Sequence, residues 1–232
     1  MNRDLTLVIP VLNEGDILKG NTRKLREYMN SLNVDYELII CSNGSNDDTV
    51  EVGEKLMGDR VRFFHLNEVG VGLAFRKMVE ESSSERIISV DMDLSIDLDF
   101  IPKAYELLDE YGVVVGSKKM GDQQRSFFRL LASNVFIYLV RLLLGLDYRD
   151  YSIAAKGYRR SEIIDHLSLI DHGSSYVVDL IYHVKNGGGK IIEVPVSCHD
   201  TRKSKFNIYD ELVYRLKNLL TLWFRERLSK RT

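Results

Sequence analysis

Two rhythms of apolar and polar positions alternate along the first half of the chain. Short runs rich in β-branched residues at Leu5 to Leu12, Tyr36 to Cys41, Val61 to Leu66, Ile87 to Val90 and Gly112 to Gly116 predict buried strands. Helical patterns lie between them: Gly15 to about Leu32, Thr49 to about Met57, Gly70-Val71-Gly72 to about Ser82, and Phe100 to Glu110. Strands alternating with helices predict an α/β fold with a mostly parallel sheet and right-handed crossovers. Two later stretches differ. Ser126 to Leu146 is apolar but broken by Arg129, Asn134 and Arg141, and Ile208 to Arg231 reads as an amphipathic helix with a basic end.

A length of 232 residues allows one large α/β domain or two small ones. The formal net charge of −2 gives no pull towards nucleic acid, so none is expected as a partner. Cys41 and Cys198 are too few for a disulfide framework and are expected to pack as small hydrophobes. The first residues lead straight into a strand, so no signal peptide is expected. No run reaches the roughly 18–20 uninterrupted apolar residues of a membrane span. Arg129 and Arg141 would each cost about 2.5–3.5 kcal/mol near mid-bilayer, which favours an interfacial helix. For the C-terminal helix, contact with anionic lipid and packing on the preceding α/β domain or a second subunit both stay open.

The candidate chemistry sits after the strand Ile87 to Val90, where Asp91 and Asp93 follow. In an open α/β sheet the ligand crevice lies outside the carboxyl ends of the strands. Two carboxylates there can hold a hard divalent cation, which in turn neutralises a diphosphate; the plainer alternative is a solvated acidic turn. Pro10 to Gly15, Ser42 to Asp48 and Asp91 to Ser95 converge on the same sheet edge. Gly44 permits close backbone approach, and the helix starts after Ser45 and Gly72 are expected to offer open N–H groups to phosphate or ribose. Gly70-x-Gly72 lacks the third glycine of a dinucleotide fingerprint. The five histidines are scattered and read as surface or core residues.

Val8-Ile-Pro-Val-Leu-Asn-Glu14, Gly44-Ser-x-Asp-x-Thr49, Gly70-x-Gly72 and Asp91-x-Asp93 come in an order and spacing that resembles the family 2 glycosyltransferases. Val115-Gly-Ser-Lys118, Arg129-x-x-x-Ser133-Asn134, the stretch from Asp150 to Tyr158, Ile192-Glu-Val-Pro-Val196 and Ser204-Lys205 look like the polyprenyl-phosphate (dolichyl-phosphate) mannose and glucose synthases. Each piece is weak alone; the ordered set covers roughly residues 5–206.

The resemblance implies a GT-A fold, a Rossmann-like mixed sheet flanked by helices, and a metal-dependent, inverting hexosyl transfer. Asp91 and Asp93 take the positions of the metal and donor carboxylates, served by Mg²⁺ or Mn²⁺. Pro10, Asn13, Glu14, Ser42, Asn43, Gly44 and Gly72 match the nucleotide-binding positions. Lys118, Arg129, Ser133 and Arg202 match groups around the phosphates and the acceptor, and Lys205 matches a lysine that closes over the diphosphate. Ser42 and Asn43 stand where the family has two aspartates, Lys118 where it usually has an arginine, Ser95 where it often has a glutamine, and Asp179 near the place of a glutamate.

The expected reaction moves a hexose from a nucleoside-diphosphate sugar to polyprenyl or dolichyl phosphate, by a protein peripheral to the cytoplasmic face of the membrane. Residues 1–206 would form the catalytic domain, with a nucleotide-binding half (1–117) and an acceptor half (118–206), and 207–232 the C-terminal helix. A different glycan or lipid acceptor remains open. So does a non-catalytic, nucleotide-sugar-binding partner of a membrane transferase, and so do a membrane-protein partner and a homo-oligomer.

Overall fold

The structure, a computed structural model, describes residues 3–120, 127–198 and 208–229. The strands are β1 (Leu5–Val11), β2 (Tyr36–Asn43), β3 (Val61–Leu66), β4 (Arg86–Ser89), β5 (Val113–Ser117), β6 (Lys156–Arg159) and β7 (Ile191–Pro195). The helices are α1 (Gly15–Ser31), α2 (Thr49–Lys55), α3 (Val71–Glu81), α4 (Phe100–Leu107), α5 (Phe127–Leu144), the single turn α6 (Arg160–Ile163), α7 (Tyr176–Asn186) and α8 (Ile208–Ser229). Among the described residues the strands form one sheet in the order β3-β2-β1-β4-β6-β5-β7. Only β6 runs against the others; it pairs antiparallel with both β4 and β5.

Alternating residues of each strand serve opposite faces. Val8, Ile39, Ile87 and Val113 point to one layer, built from Phe75 and Met78 of α3, Phe136 and Val140 of α5, and residues of α7 and α8. Leu7, Leu38, Ile88 and Val114 point to the other, built from Leu18, Leu25 and Met29 of α1 and Ile101 and Ala104 of α4. Strands buried on both faces explain why they read as unbroken apolar runs. Cys41 lies fully buried in the first layer, where burial pushes its thiol up to about 12; Cys198 packs against the second.

The second half holds the departures. β6, reading Lys-Gly-Tyr-Arg, carries no apolar run and was not expected as a strand, yet it lies near the middle of the sheet. Helix α5 buries Phe136 and Val140 and leaves Val135, Tyr138 and Leu142 exposed. Helix α8 buries Leu219 and Leu222 and exposes Leu220, Phe224 and Leu228. Among the described residues, no helix is long and apolar enough to cross a membrane.

Candidate functional site

The Asp91-x-Asp93 turn leaves β4 under several restraints. Val90 N–H donates to the Val8 carbonyl at 3.2 Å, continuing the sheet past Ser89. Met92 is buried against α1, and Asn21 Nδ2 donates to its carbonyl at 2.9 Å. With Met92 turned into the core, the carboxylates on either side stay half-buried at the surface. Oδ1 of Asp93 accepts the Ser95 N–H at 2.9 Å, and Leu94 between them has a φ of 51°, a costly conformation for a branched side chain. Among the described residues, no three His, Cys, Asp or Glu side chains gather to hold a metal. A two-carboxylate, all-oxygen set fits a Mg²⁺-like ion that completes its shell from substrate phosphate and water.

The loops after β1 and β2 are stitched together beside this turn. Asn13, with a φ of 53°, donates its N–H to Ser45 Oγ at 3.0 Å and accepts the Asn46 N–H on Oδ1 at 2.8 Å. Glu14 N–H reaches Thr49 Oγ1 at 2.8 Å. Asp47 accepts from Gly15 and Thr49 N–H groups; burial would raise its carboxyl, but the Thr49 and Gly15 bonds outweigh that and hold it below the usual range. Gly44 has a φ of +80°, and a Cβ there would lie 2.6 Å from Val69 Cγ2.

Ser42 and Asn43 are both buried. Asn43 Nδ2 donates to the Val11 carbonyl at 2.9 Å and Oδ1 accepts the Gly70 N–H at 3.3 Å, so its amide joins β1, β2 and the start of α3. Ser42 Oγ donates to Ser45 Oγ at 2.9 Å and lies 3.2 Å from His65 Nδ1, which places that histidine beside the loop after β2. Two of the N–H groups at the start of α3 are occupied within the protein. Gly70 N–H goes to Asn43, and Leu73 N–H goes to the His172 carbonyl at 3.1 Å. Gly72 is required by the same loop, since a Cβ would lie 2.1 Å from the Asp171 carbonyl oxygen.

Behind the Asp91 turn lies a buried charge cluster. Asp150 accepts the N–H and Oγ–H of Ser152 at 2.8 and 2.9 Å, the Ile153 N–H at 3.3 Å and the Lys118 N–H at 3.3 Å. Burial would raise this carboxyl, yet the Lys156 and Lys118 ammonium groups hold it below the usual range. Lys156 has no exposed surface and donates to the Ile153 carbonyl. Burial pushes it down to about 8 against the pull of Asp150. Lys118, expected near the phosphates, is itself buried in this cluster.

A cavity of about 380 Å³ opens at the sheet edge. Pro10, Ser89 and Asp91 come to it from β1 and the end of β4, and Ser152, Ile153 and Ala154 from the loop before β6. Ser133, Phe136 and Ile137 of α5 form one wall; Ser174, Tyr176 and Val177 form another with Glu211, Leu212 and Arg215 of α8. The structure therefore brings Pro10, Asp91 and Ser133 into one cavity, with Asp93, Asn13, Glu14 and Gly44 in the adjoining loops. Arg129 lies in the first turn of α5, with its side chain outside the described residues, as are Arg202 and Lys205. Sequence reasoning missed Ser174, Glu211 and Arg215. The available signal was an arginine standing in the apolar stripe Leu212, Leu219, Leu222.

Comparison with known proteins places this geometry. The description "Glycosyl transferase family 2" matches residues 6–167. Glycosyltransferase AglD of Haloferax volcanii is 25% identical over 243 residues, covering 98% of this chain and 39% of its own length. The undecaprenyl-phosphate 4-deoxy-4-formamido-L-arabinose transferase of Edwardsiella ictaluri is 28% identical over 224 residues, covering 95% of this chain and 66% of that protein. The chain thus spans less than two thirds of the length of these relatives. Mannosyl-3-phosphoglycerate synthase from Rubrobacter xylanophilus superposes with a TM-score of 0.73 at 14% identity, over 99% of this chain and 76% of that one. Glucosyl-3-phosphoglycerate synthase from Mycobacterium tuberculosis, in complex with Mn²⁺ and UDP-glucose, gives 0.69 at 16% identity, over 95% and 79%. The shared architecture is the GT-A fold, with its mixed, mostly parallel sheet between helical layers. The family match begins in β1 and ends beyond β6, taking in every strand but β7, and the chain belongs to glycosyl transferase family 2.

Proposed function

We propose that the protein transfers a hexose, with inversion, from a nucleoside-diphosphate sugar to polyprenyl (dolichyl) phosphate, using Mg²⁺ or Mn²⁺. The observation that carries this reading is the cavity, which sets the strand-end carboxylate Asp91 opposite an apolar wall of Phe136, Ile137, Val177 and Leu212. A charged donor end and an apolar acceptor end meet in one space. Relatives described as undecaprenyl-phosphate sugar transferases support a lipid phosphate as acceptor.

Asp91 and Asp93 would hold the cation, which when bound offsets the charge that grows on the departing diphosphate. Asn13, Glu14 and Gly44 shape the nucleotide loops. An acceptor phosphate oxygen forms the new bond to the anomeric carbon as the bond to the diphosphate breaks, and the nucleoside diphosphate leaves with the electron pair. A phosphate acceptor is already ionised near neutral pH, so it needs orientation more than a general base. We assign that orientation to Ser133 and Arg129, with Arg202, and the closing of the donor site to Lys205. The Asp150–Lys156–Lys118 cluster fixes the loop under the cavity.

The exposed stripes Val135, Tyr138, Leu142 and Leu220, Phe224, Leu228, with exposed Lys217 and Arg227 on α8, suit a peripheral seat on an anionic, cytoplasmic membrane face. The test is transfer of labelled sugar into an acid-labile lipid phosphate, with and without chelator. Metal-dependent lipid-linked product is expected. Donor turnover without lipid-linked product would move the acceptor to another glycan or lipid, and donor binding without turnover would leave only a nucleotide-sugar-binding partner.

A further inference from the structure

Helix α8 turns one cation inward. Arg215 stands one turn after Leu212, on the face that packs against the body of the protein. Its side chain is 18% exposed and lines the cavity with Ser133 and Ser174. The guanidinium carbon lies 5.9 Å from the centre of the Phe136 ring. Nε donates to Oε1 of Glu211 at 2.7 Å and to Oγ of Ser174 at 3.3 Å. Among the described residues, the hydrogen bonds of this side chain run through Nε; the terminal amino groups carry the other four donors of the fork.

We propose that Arg215 receives the phosphate monoester of the acceptor, which makes the C-terminal helix part of the acceptor site. The inference rests on the acceptor reading above for the lipid tail; the chemistry recognised is a phosphate monoester. A guanidinium fork matches phosphate oxygens in pairs, and a partly desolvated one binds them more strongly than a solvated one. Glu211 fixes the fork through Nε and also accepts the hydroxyl of Ser174, while the hydroxyl of Ser133 stands in the same cavity as a further donor. The same carboxylate repels an incoming phosphate. That opposition gives Glu211→Gln a distinctive sign: the amide oxygen still accepts from Nε, but the repulsion is gone.

The test titrates decyl phosphate, decanol and inorganic phosphate into the parent, R215Q, R215K and E211Q by calorimetry, with UDP plus Mn²⁺ as a parallel titration. Decyl phosphate is expected to bind R215Q at least tenfold more weakly than the parent, R215K in between, and E211Q at least threefold more tightly. UDP affinity is expected to stay within twofold throughout. If R215Q fails to fold, E211Q decides: tighter binding supports the proposal, and unchanged or weaker binding overturns it. Equal decyl phosphate affinity in R215Q and the parent, no binding to the parent, decanol binding as tightly as decyl phosphate, or a parallel loss of UDP affinity each overturn it. Inorganic phosphate binding as tightly as decyl phosphate, with the same dependence on Arg215, supports the phosphate site and assigns it to a free phosphate. Decyl phosphate binding through Arg215 without lipid-linked transfer refutes the transfer and keeps the site. Lipid-linked transfer undisturbed in R215Q keeps the transfer and refutes the site.

Discussion

Tyr214 donates its hydroxyl to Oδ1 of Asp171 at 2.6 Å. The other oxygen of that carboxylate accepts the N–H groups of Gly173 and Ser175 at 2.9 and 3.0 Å, and Asn218 Nδ2 reaches Oδ1 at 3.2 Å. One carboxylate therefore shapes the loop that brings Ser174 to the cavity and fastens it to α8. Tyr214→Phe is expected to cost about 1 kcal/mol, since the bond is partly exposed. The readout is a lower denaturant midpoint at unchanged slope; an unmoved midpoint would show that Asn218 alone suffices.

Asp93→Ala is expected to abolish metal-dependent donor binding while the protein stays folded, because its remaining bond is a local one to Ser95. Calorimetry with a nucleoside diphosphate, with and without Mn²⁺, checks it. A donor affinity equal to the parent's would remove Asp93 from the metal site.

Asn43→Asp introduces the aspartate that the family resemblance implies at this position, yet it is expected to destabilise this protein. The carboxylate can still accept from Gly70, but it faces the Val11 carbonyl, which then loses its donor. The expected loss is about 1–3 kcal/mol, the cost of a buried polar group left without its partner. Thermal melts near neutral pH decide, and a melting temperature at or above the parent's would contradict it.

Burial pushes the Asp179 carboxyl up to about 6, while its Oδ2 accepts the Asp171 N–H at 2.7 Å. The unfolded chain loses this proton near pH 3.9. Between these values the folded protein binds more protons, so this group lowers stability as pH rises from about 4 to about 6, and the penalty stays complete above that. At 1.36 kcal/mol per pH unit it is at most about 3 kcal/mol. Asp179→Asn keeps an oxygen for Asp171 and removes the titration. It is expected to match the parent near pH 4 and exceed it at pH 7.5; a variant less stable at pH 7.5 would refute this.

Among the described residues, Lys156→Met leaves the buried Asp150 carboxylate with Lys118 as its neighbouring cation. Leaving a buried charge without its compensating opposite charge typically costs about 3–5 kcal/mol when the two are in contact, and the coulombic pairing here sets that as the upper bound. The double variant with Asp150→Asn should recover most of the loss, because the asparagine oxygen still serves the N–H groups of Ser152 and Ile153. Denaturant titration of both variants checks the pair; a double variant no better than the single one would break the argument.

The first four strands were legible to within a residue or two at each end: β1, β2 and β4 because they are buried on both faces, and the edge strand β3 because Val61 and Phe63 alternate with half-buried Arg62 and Phe64. The carboxylates Asp91 and Asp93 were legible because they terminate one of those runs. β6 was not. Its buried lysine is compensated by Asp150, a residue outside the strand, and no local pattern reveals such a partner. The cavity was half-legible. Asp91, Pro10 and Ser133 were named from sequence, whereas Arg215 was grouped with the basic residues of an amphipathic helix for which lipid contact and packing on the protein both stayed open. Its inward turn depends on how α8 packs against α5 and the loop from Asp171 to Ser175. Asn43 shows the converse: a residue read for its chemistry ties three backbone segments together.

The reversed strand β6 also sets an order of assembly during translation. β4 is made some 70 residues before its neighbour Lys156–Arg159, and β5 is made before the strand that must come to lie between it and β4. A nascent chain that has reached Ser117 can pair β1 to β4, but it presents the free edge of β4 and holds β5 without either of its neighbours. Open edges of this kind invite pairing with other chains. The insertion of β6 closes the edge of β4 and one edge of β5, and β7 closes the other, so a ribosome stalled before residue 159 would hold a chain with all three of these edges open.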